Sequence, residues 1–316
     1  MKGRLHWLIQ RVILEVGFRL ILPLAARLPF CAGERWAVWL GRLNYARDLD
    51  WRTVAVRIQH VAERSAKAMS LLLPDMSANT VRECVKERFI SASREEWEAH
   101  LIMAGRAPST ACEFEGLEQL QAHADAHTGV VLLTVHFDSV LMGVVQLGLA
   151  GIKLHLMTSS IVEDVRVLPV VRRYFKNKYH AMEQHLNGGR ILHFETHLKH
   201  FYAAVKNGES IVLLSDAPAA SWDKALPIRF GGAVRAFVPG AVRIAESLKA
   251  PMAAFVCLHE SPGRYRVVVS PVQYPEPGKY LAAAQDMYRF LESYIQTYPG
   301  RWWAADLLPG FLTQDA

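Results

Sequence analysis

The sequence predicts an α/β fold with a mixed central sheet flanked by helices and a helical N-terminal extension. Up to about residue 114, apolar residues recur at helical spacing, whereas from Glu115 short apolar strands alternate with helices. The strand candidates are rich in leucine and β-branched residues, which is typical of buried strands. No repeat or Pro/Ser-rich linker separates the two parts. We therefore predict one structural domain, with a helical region over residues 1–114 and an α/β core over 115–316.

Five segments of the core are predicted strands. They read VVLLTV, KLHLM, SIVLLSD, PMAAFVCL and RYRVVVSPV. In the N-terminal region, the segment DWRTVAVRIQHVAERSAKAMSLLL has the apolar spacing of a helix. Further along, Thr80 and Glu83 have the spacing of a capping box, which predicts Thr80 as the N-cap of a helix.

The first helix is apolar but carries charges. Arg4, Arg11, Glu15 and Arg19 interrupt it, so it lacks the run of about 20 apolar residues that a membrane-spanning helix needs. Charges inside the apolar stretch also argue against a signal peptide. Their spacings of seven, four and four place the charges in one stripe on an otherwise apolar helix. Such a helix is predicted to lie in a membrane interface, although a buried amphipathic helix has the same pattern.

The net charge limits the classes of partner, and the cysteine content indicates the redox environment. A net charge of +6 favours an anionic partner such as phospholipid, nucleic acid or an acidic carrier protein. No basic block with interleaved aromatic residues is present, so nucleic acid is not predicted as a partner. The four cysteines lie far apart without a C-x-x-C pair, which argues against a disulfide framework and favours a reducing, cytoplasm-facing environment.

Three polar residues follow the first predicted strand of the core directly. The stretch GVVLLTVHFDSVLMG places His136 at a strand-to-helix junction, where open α/β sheets carry functional side chains. Histidine titrates near neutral pH and can take the proton of an attacking hydroxyl. Asp138, the nearest acid, is a candidate for orienting the imidazole. An N-cap role at the following helix would use the same carboxylate oxygens.

Five segments together resemble the bacterial lipid A lauroyl/myristoyl acyltransferases, a branch of the lysophospholipid acyltransferase superfamily. In chain order they are LNYARDLDWRTVAVRIQHVAERSAKAM, LLLPDMSANTVRECVKERF, VVLLTVHFDSVLMG, AAVKNGESIVLLSDAP and LPIRFGGAVRAFVPGAVRIAESLKAP. The resemblance covers most of the chain and implies a glycerolipid acyltransferase-like fold. It also implies that His136 is the catalytic base and that an acyl thioester is the co-substrate, with no bound cofactor.

Two features depart from the family pattern. The family motif places an acid five positions after the catalytic histidine, and that position here is Leu141. The C-terminal stretch YPGRWWAADLLPGF keeps Trp302 and Trp303 but lacks the basic cluster that follows them in the family. The alternative prediction is therefore a non-catalytic relative that binds lipid or acyl chains.

Eight further positions are predicted to bind substrate. They are Ser139, Arg172, Arg173, Asp216, Arg229, Phe230, Gly231 and Gly232. The resemblance implies that Asp216, at the end of a strand, corresponds to the family's aspartate. It also implies that Arg172 and Arg173 lie near the position of an acceptor-contacting arginine. Guanidinium groups suit phosphate or pantetheine, although a solvated helix face is the alternative. Backbone N–H groups of LPIRFGG and of the helix after the catalytic histidine are candidate oxyanion donors.

A second cluster offers metal or hydrolytic chemistry. His193, His197 and His200 fall at i, i+4 and i+7 on one face of a predicted helix, with Glu195 nearby. The pattern is neither H-E-x-x-H nor its inverse, so a metal-dependent hydrolase is a lesser alternative and no metal is predicted. The chain has no G-x-S-x-G motif, which argues against a serine hydrolase.

Together with the apolar N-terminal helix, the resemblance implies a membrane-associated acyltransferase. It is expected to move a fatty acyl chain from acyl carrier protein or coenzyme A to a hydroxyl or amine of a glycolipid, lipid or related acceptor. The expected partner surface is membrane lipid, and the expected location is the cytoplasmic face of the bacterial inner membrane.

Overall fold

The computed structural model describes residues 2–55 and 58–314, and the side chain of Arg4 lies outside the described residues. The helices are α1 Lys2–Val16, α2 Leu22–Ala25, α3 Phe30–Ala46, α4 Trp51–Ala55, α5 Val61–Leu72, α6 Ala78–Met103, α7 Leu117–Asp125, α8 Val140–Leu149, α9 Pro169–Glu183, α10 Phe194–Lys206, α11 Gly240–Leu248 and α12 Tyr280–Thr297. The strands are β1 Ala111–Glu115, β2 Val131–Thr134, β3 Leu154–Thr158, β4 Ile191–His193, β5 Ser210–Leu214, β6 Leu226–Phe230, β7 Ala233–Phe237, β8 Met252–Ser261, β9 Arg264–Val269 and β10 Thr313–Gln314.

A seven-stranded mixed sheet forms the centre of the fold, with the order β1-β9-β8-β2-β5-β3-β4. Strands β8 and β9 are antiparallel, and the other neighbouring pairs are parallel. Strands β6, β7 and β10 form a separate small antiparallel sheet. The predicted α/β class with a mixed sheet is confirmed, and each of the five predicted strands is present.

The central strands are buried on both faces because helices cover the sheet from both sides. Val131 and Leu133 of β2 belong to the core cluster that includes residues of α11 and α12. Leu132, between them in sequence, belongs to the cluster on the opposite face, beneath α8. The alternation follows from the two-residue period of a strand. It explains why β2 reads as a continuous apolar run.

The long helix α6 joins the N-terminal helices to the core, since it packs against α3, α8 and α9. It begins one turn earlier than predicted. Ser77 is its N-cap, and the hydroxyl of Ser77 accepts the backbone N–H of Thr80 at 3.2 Å. The prediction of Thr80 as the N-cap is therefore wrong.

The N-terminal helix has one buried face and one exposed face, both apolar. A π-helical stretch, Gly17–Ile21, joins α1 to α2. Phe18 is buried and stacks on Tyr174 of α9, with 4.5 Å between ring centroids. Large apolar side chains remain exposed at four-residue intervals, namely Leu8, Val12, Val16, Leu20, Leu24 and Leu28. Within residues 2–55 and 58–314, no helix is both long and apolar enough to span a membrane.

Candidate active site

The ends of two neighbouring parallel strands bring a histidine and an aspartate together. Thr134 of β2 pairs with Leu214 of β5, so the chain leaves both strands at the same edge of the sheet. His136 and Asp216 each lie two residues further on. The Nδ1 atom of His136 lies 2.7 Å from Oδ1 of Asp216, and the backbone N–H of His136 donates to Oδ2 at 2.9 Å. Asp216 therefore fixes both the main chain and the ring of His136.

Two tryptophans that follow α12 support this His136–Asp216 dyad. The indole N–H of Trp302 donates to Oδ2 of Asp216 at 2.9 Å. Trp302 also forms an antiparallel bridge with Phe137, and the backbone N–H of Trp303 donates to the carbonyl of His136 at 3.1 Å. The indole of Trp303 lies edge-on to the imidazole, with 4.5 Å between ring centroids. The strand ends and the tryptophan pair together hold the imidazole in one orientation.

The surroundings of the dyad suit a general base. Burial alone would raise the pKa of Asp216, but the charge of His136 and the hydrogen bonds from His136 and Trp302 outweigh it and lower this pKa below its usual value. An ionised Asp216 accepts the Nδ1–H of the ring, which leaves the lone pair on Nε2. Among the described residues none hydrogen-bonds Nε2, and the His136 side chain is 32% exposed. The imidazole can therefore accept a proton from a molecule that arrives from solvent.

Asp138 lies outside the dyad, so the prediction that it orients His136 is wrong. Its Oδ2 accepts hydrogen bonds from Arg301 at 2.8 Å and from the backbone N–H of His259 at 3.0 Å, and its Oδ1 lies 3.4 Å from Arg94. The N-cap of α8 is the following residue, so the alternative N-cap role is also wrong. Asp138 has a φ of 45°, which marks a sharp turn of the chain between the imidazole and α8.

The position of the expected family acid is part of the core. Leu141 lies in the first turn of α8 and packs in the apolar cluster that includes Leu132 and Leu154. A carboxylate already occupies Nδ1 of His136, because Asp216 supplies it from the neighbouring strand end. The leucine at position 141 therefore does not leave His136 without a carboxylate partner.

Ser139 is buried, so the prediction that it binds substrate is wrong. Its hydroxyl donates to Oε1 of Glu98 at 2.7 Å, which joins α8 to α6. Burial raises the pKa of Glu98 well above its usual value, and the hydrogen bond from Ser139 offsets only part of that effect. Glu98 is therefore a buried carboxyl group that favours its protonated form.

Two of the predicted oxyanion donors, and the N–H groups that precede α8, are already engaged within the protein. The backbone N–H groups of residues 136–139 all donate to protein oxygens. In the LPIRFGG segment, the N–H of Arg229 donates to Gln285, and that of Gly231 donates to Glu292. The N–H groups of Arg229 and Gly231 are therefore not free to bind an oxyanion in this arrangement of the chain, whereas oxyanion binding by the first turn of α8 stays a prediction.

The remaining part of LPIRFGG has a structural role close to the dyad. Gly231 and Gly232 form the turn between β6 and β7 with φ values of 60° and 75°, a conformation that favours glycine. Phe230 is buried, and its ring lies 5.7 Å from that of Trp302. Phe230 therefore packs against the tryptophan that binds Asp216 rather than against solvent. Substrate contact by Arg229 and Gly232 stays a prediction.

Arg172 and Arg173 lie near the start of α9, on the helix that packs against α6. Arg172 is half-buried, whereas Arg173 is exposed and lines a cleft together with Arg19 and Arg27 of the N-terminal region. Their predicted contact with an acceptor or a pantetheine group stays a prediction.

The predicted helical face of three histidines is not formed. His193 ends β4 and lies 3.1 Å from Glu163, while the backbone of His197 is non-helical and kinks α10. His200 lies 3.0 Å from Nδ1 of His155. In the part of the chain that the structure describes, no three His, Cys, Asp or Glu side chains are grouped to bind a metal ion.

A buried charge cluster behind the tryptophan pair was not predicted from the sequence. Arg88 is fully buried, and it donates to the carbonyl of Trp303 at 2.8 Å and to Asp50 at 2.7 Å. Arg52 lies between Asp50 and Asp306, at 2.9 and 2.8 Å. Burial would raise the pKa of Asp50, but the two guanidinium groups lower it far below its usual value. Asp50 and Arg52 of the cluster are neighbours in sequence, but Arg88 and Asp306 lie far from them along the chain, so sequence spacing does not reveal the cluster.

A known protein family matches the part of the chain that contains the site. Residues 51–305, of 316 in the chain, match the family model described as bacterial lipid A biosynthesis acyltransferase. The match includes the dyad and the tryptophan pair. Comparison with curated proteins gives no match. The extent of the family match shows that this chain belongs to the bacterial lipid A biosynthesis acyltransferase family, as the resemblance of its five segments predicted.

Proposed function

We propose that the protein transfers a fatty acyl chain from an acyl thioester to a hydroxyl or amine of a glycolipid, lipid or related acceptor, with His136 as the general base. The single observation that carries this proposal is the 2.7 Å contact between Asp216 and Nδ1 of a partly exposed His136. It leaves Nε2 as the basic nitrogen on the solvent side. Membership of the lipid A acyltransferase family supports the same reaction class.

The two side chains of the dyad are sufficient to accept and return the proton during acyl transfer. The acceptor hydroxyl gives its proton to Nε2 of His136 as its oxygen attacks the thioester carbonyl carbon. Asp216 stabilises the imidazolium that forms, as the aspartate does in a catalytic triad. The tetrahedral intermediate then collapses, the carbon–sulfur bond breaks, and the imidazolium returns the proton to the departing thiolate. No covalent intermediate with the enzyme is required.

The charge of the chain suits the proposed donor. Acyl carrier protein is acidic and coenzyme A carries phosphates, and both would be attracted by a protein with a net charge of +6. Charge does not discriminate between the two donors, so the proposal includes both.

The exposed apolar face of the N-terminal helix supports docking at the cytoplasmic face of the inner membrane. Six exposed apolar side chains recur at four-residue intervals between Leu8 and Leu28, while Arg11, Glu15 and Arg19 form ion pairs along the same segment. Apolar side chains aligned in this way favour the boundary between headgroups and acyl chains. Trp36 and Trp39 of α3 are also about half exposed, and tryptophan favours the same region.

The non-catalytic alternative depended on the acid missing at Leu141. Asp216 occupies the imidazole nitrogen that such an acid would orient, which favours catalysis over binding alone. We therefore retain acyl transfer as the proposed function.

Mass spectrometry of products tests the proposal and identifies the acceptor. Purified protein is incubated with acyl carrier protein or coenzyme A thioesters and with lipid extract from cells that lack the protein. We expect a new acylated species, and we expect His136→Ala to slow its formation by about 100- to 10,000-fold. The matched control is His197→Ala, an exposed histidine outside the dyad. Full activity in His136→Ala would exclude the mechanism, and loss of activity only in His197→Ala would favour the metal alternative.

A further inference from the structure

A cleft of about 390 Å³ opens between the N-terminal helix, the end of α6 and the start of α9. Its walls are partly apolar, with Phe18, Pro23, Met103 and Val170 among them. The volume falls in the range of small-ligand sites. Arg94, which contacts the turn after His136, lies six residues before His100, the first residue of α6 that lines the cleft. At 1.5 Å per residue, about 9 Å of helix therefore separates the cleft from Arg94.

Among the residues that the structure describes, three guanidinium groups line the cleft, and no carboxylate does. They belong to Arg19, Arg27 and Arg173. Arg19 pairs with Glu15 at 3.3 Å, whereas Arg27 and Arg173 form no ion pair among the described residues. The cleft therefore carries a positive charge that the surrounding side chains do not balance.

The remaining polar side chains do not reverse this charge. His100 contacts both Phe18 and Tyr174. Burial lowers the pKa of His100 to about 4, so this imidazole is neutral at pH 7. Asn177 adds an amide group that is neutral at every pH. The cleft thus combines apolar walls with cationic hydrogen-bond donors, which matches a phosphate attached to an apolar group.

The position of the cleft indicates where such a phosphate comes from. Arg19 and Arg27 belong to the N-terminal helical segment that exposes Leu20 and Leu24. If these leucines enter the headgroup boundary, the arginines lie at the level of lipid phosphates. We propose that this cleft binds the phosphate headgroup of an anionic phospholipid, at a site separate from the His136–Asp216 dyad. The inference rests on the proposed membrane docking and not on acyl transfer.

Vesicle flotation of the full-length protein tests the site without measuring activity. One set of vesicles is phosphatidylcholine alone, and the other contains equal parts of phosphatidylcholine and phosphatidylglycerol. The test variant is the double substitution Arg27→Gln and Arg173→Gln. The matched control is Arg82→Gln and Arg243→Gln, two exposed arginines of α6 and α11 that lie outside the cleft and form no ion pair among the described residues. Both variants lose the same charge, and circular dichroism checks that both are folded.

We expect the cleft variant to bind phosphatidylglycerol vesicles about 25-fold more weakly than the wild type, since each basic group near an anionic surface contributes roughly five-fold. The control variant should lose much less. On phosphatidylcholine alone, all three proteins should bind equally. Equal losses in the two variants, or no loss in either, would overturn the proposal.

Soluble phosphates separate a lipid headgroup from other phosphate sources. Inorganic phosphate and coenzyme A are added to the phosphatidylglycerol vesicles at constant ionic strength. If either displaces the wild type to the level of the cleft variant, the site takes soluble phosphates and the lipid assignment is wrong. If the wild type binds neither kind of vesicle, the membrane docking fails together with this inference. If all three proteins bind anionic vesicles alike, docking stands and only the cleft assignment fails.

Discussion

The carboxylate of Asp216 accepts three hydrogen bonds, from the ring and the backbone of His136 and from the indole of Trp302. Each bond restrains a different part of the site, so a single buried side chain sets both the tautomer and the position of the imidazole. Asp138, although only two residues from His136, is held by Arg94 and Arg301. Distance in sequence is therefore a poor guide to the partner of a residue at a strand end.

A pH titration of stability tests the buried carboxyl group next to the site. The raised pKa of Glu98 means that the folded state holds a proton that the unfolded state releases near pH 4.5. The glutamate therefore lowers stability as the pH rises above 4.5, by up to about 1.4 kcal/mol per pH unit until the folded-state pKa is reached. We expect Glu98→Gln to match the wild type near pH 4 and to be more stable at pH 7, because an amide can still accept from Ser139.

Thermal unfolding of both proteins between pH 4 and pH 8 gives the comparison. The same substitution at the exposed Glu118 is the control, and it should change stability by less than about 0.5 kcal/mol. A Glu98→Gln protein that is less stable than the wild type at pH 7 would show that the carboxylate is charged and stabilising.

At the scale of elements, the segment that follows α12 supports the dyad. Trp302 and Trp303 connect this segment to the ends of β2 and β5, and Arg88 of α6 donates to the carbonyl of Trp303. The strands β2 and β5 could be predicted from their apolar runs. Their adjacency in the sheet could not, because strand order depends on how the helices pack and not on local pattern. The partnership of Asp216 with His136 was missed for that reason.

Local pattern also failed where elements are short or alternate in burial. Strand β4 has three residues, too few for a periodic signal, and β6 has alternating exposed positions beside a Pro and a Gly-Gly turn. The glycines of LPIRFGG fit a close approach to substrate and a strand-end turn about equally well. The structure uses them for a two-residue hairpin turn.

Removing Arg88 tests the support that α6 gives to the segment that follows α12. Arg88→Met leaves the carbonyl of Trp303 without its donor and Asp50 and Asp306 with one guanidinium fewer. We expect a loss of about 3 to 5 kcal/mol in the free energy of unfolding, as for other broken buried ion pairs. Arg82→Met, at an exposed position on the same helix, should cost less than about 0.5 kcal/mol. Equal effects in denaturant titrations would contradict the account of the cluster.

At the scale of the molecule, the N-terminal helix both belongs to the core and presents a second apolar face. The sequence predicted an apolar helix with one polar stripe, and the alternatives of a buried helix and an interfacial helix each describe one face. Phe18 and Leu22 are buried, whereas Leu20 and Leu24 are exposed. Deleting the helix would uncover the apolar surface on α9, so substitution of exposed residues tests docking more cleanly.

The substitution of Leu20 and Leu24 by serine tests membrane docking. We expect the double variant to bind phosphatidylcholine vesicles at least about ten-fold more weakly, since burying a leucine contributes roughly 1.5 to 3 kcal/mol. The control replaces Leu149 and Leu281, which are exposed to a similar extent on α8 and α12. Binding of the wild type should persist in about 1 M NaCl, where charge attraction is screened. Unchanged vesicle binding in the Leu20 and Leu24 variant would exclude docking through this face.

The initial rate of acyl transfer in Asp216→Asn and Asp138→Asn tests the central claim most directly. An asparagine at position 216 can present an N–H to Nδ1 and favour the wrong tautomer, so we expect a loss of at least about 1,000-fold. An asparagine at position 138 disturbs the contacts with Arg94 and Arg301 but leaves the dyad intact, and the folded variant should keep its rate within about ten-fold. Matched circular dichroism spectra establish that both variants are folded. A nearly normal rate in Asp216→Asn together with an inactive Asp138→Asn would contradict the account.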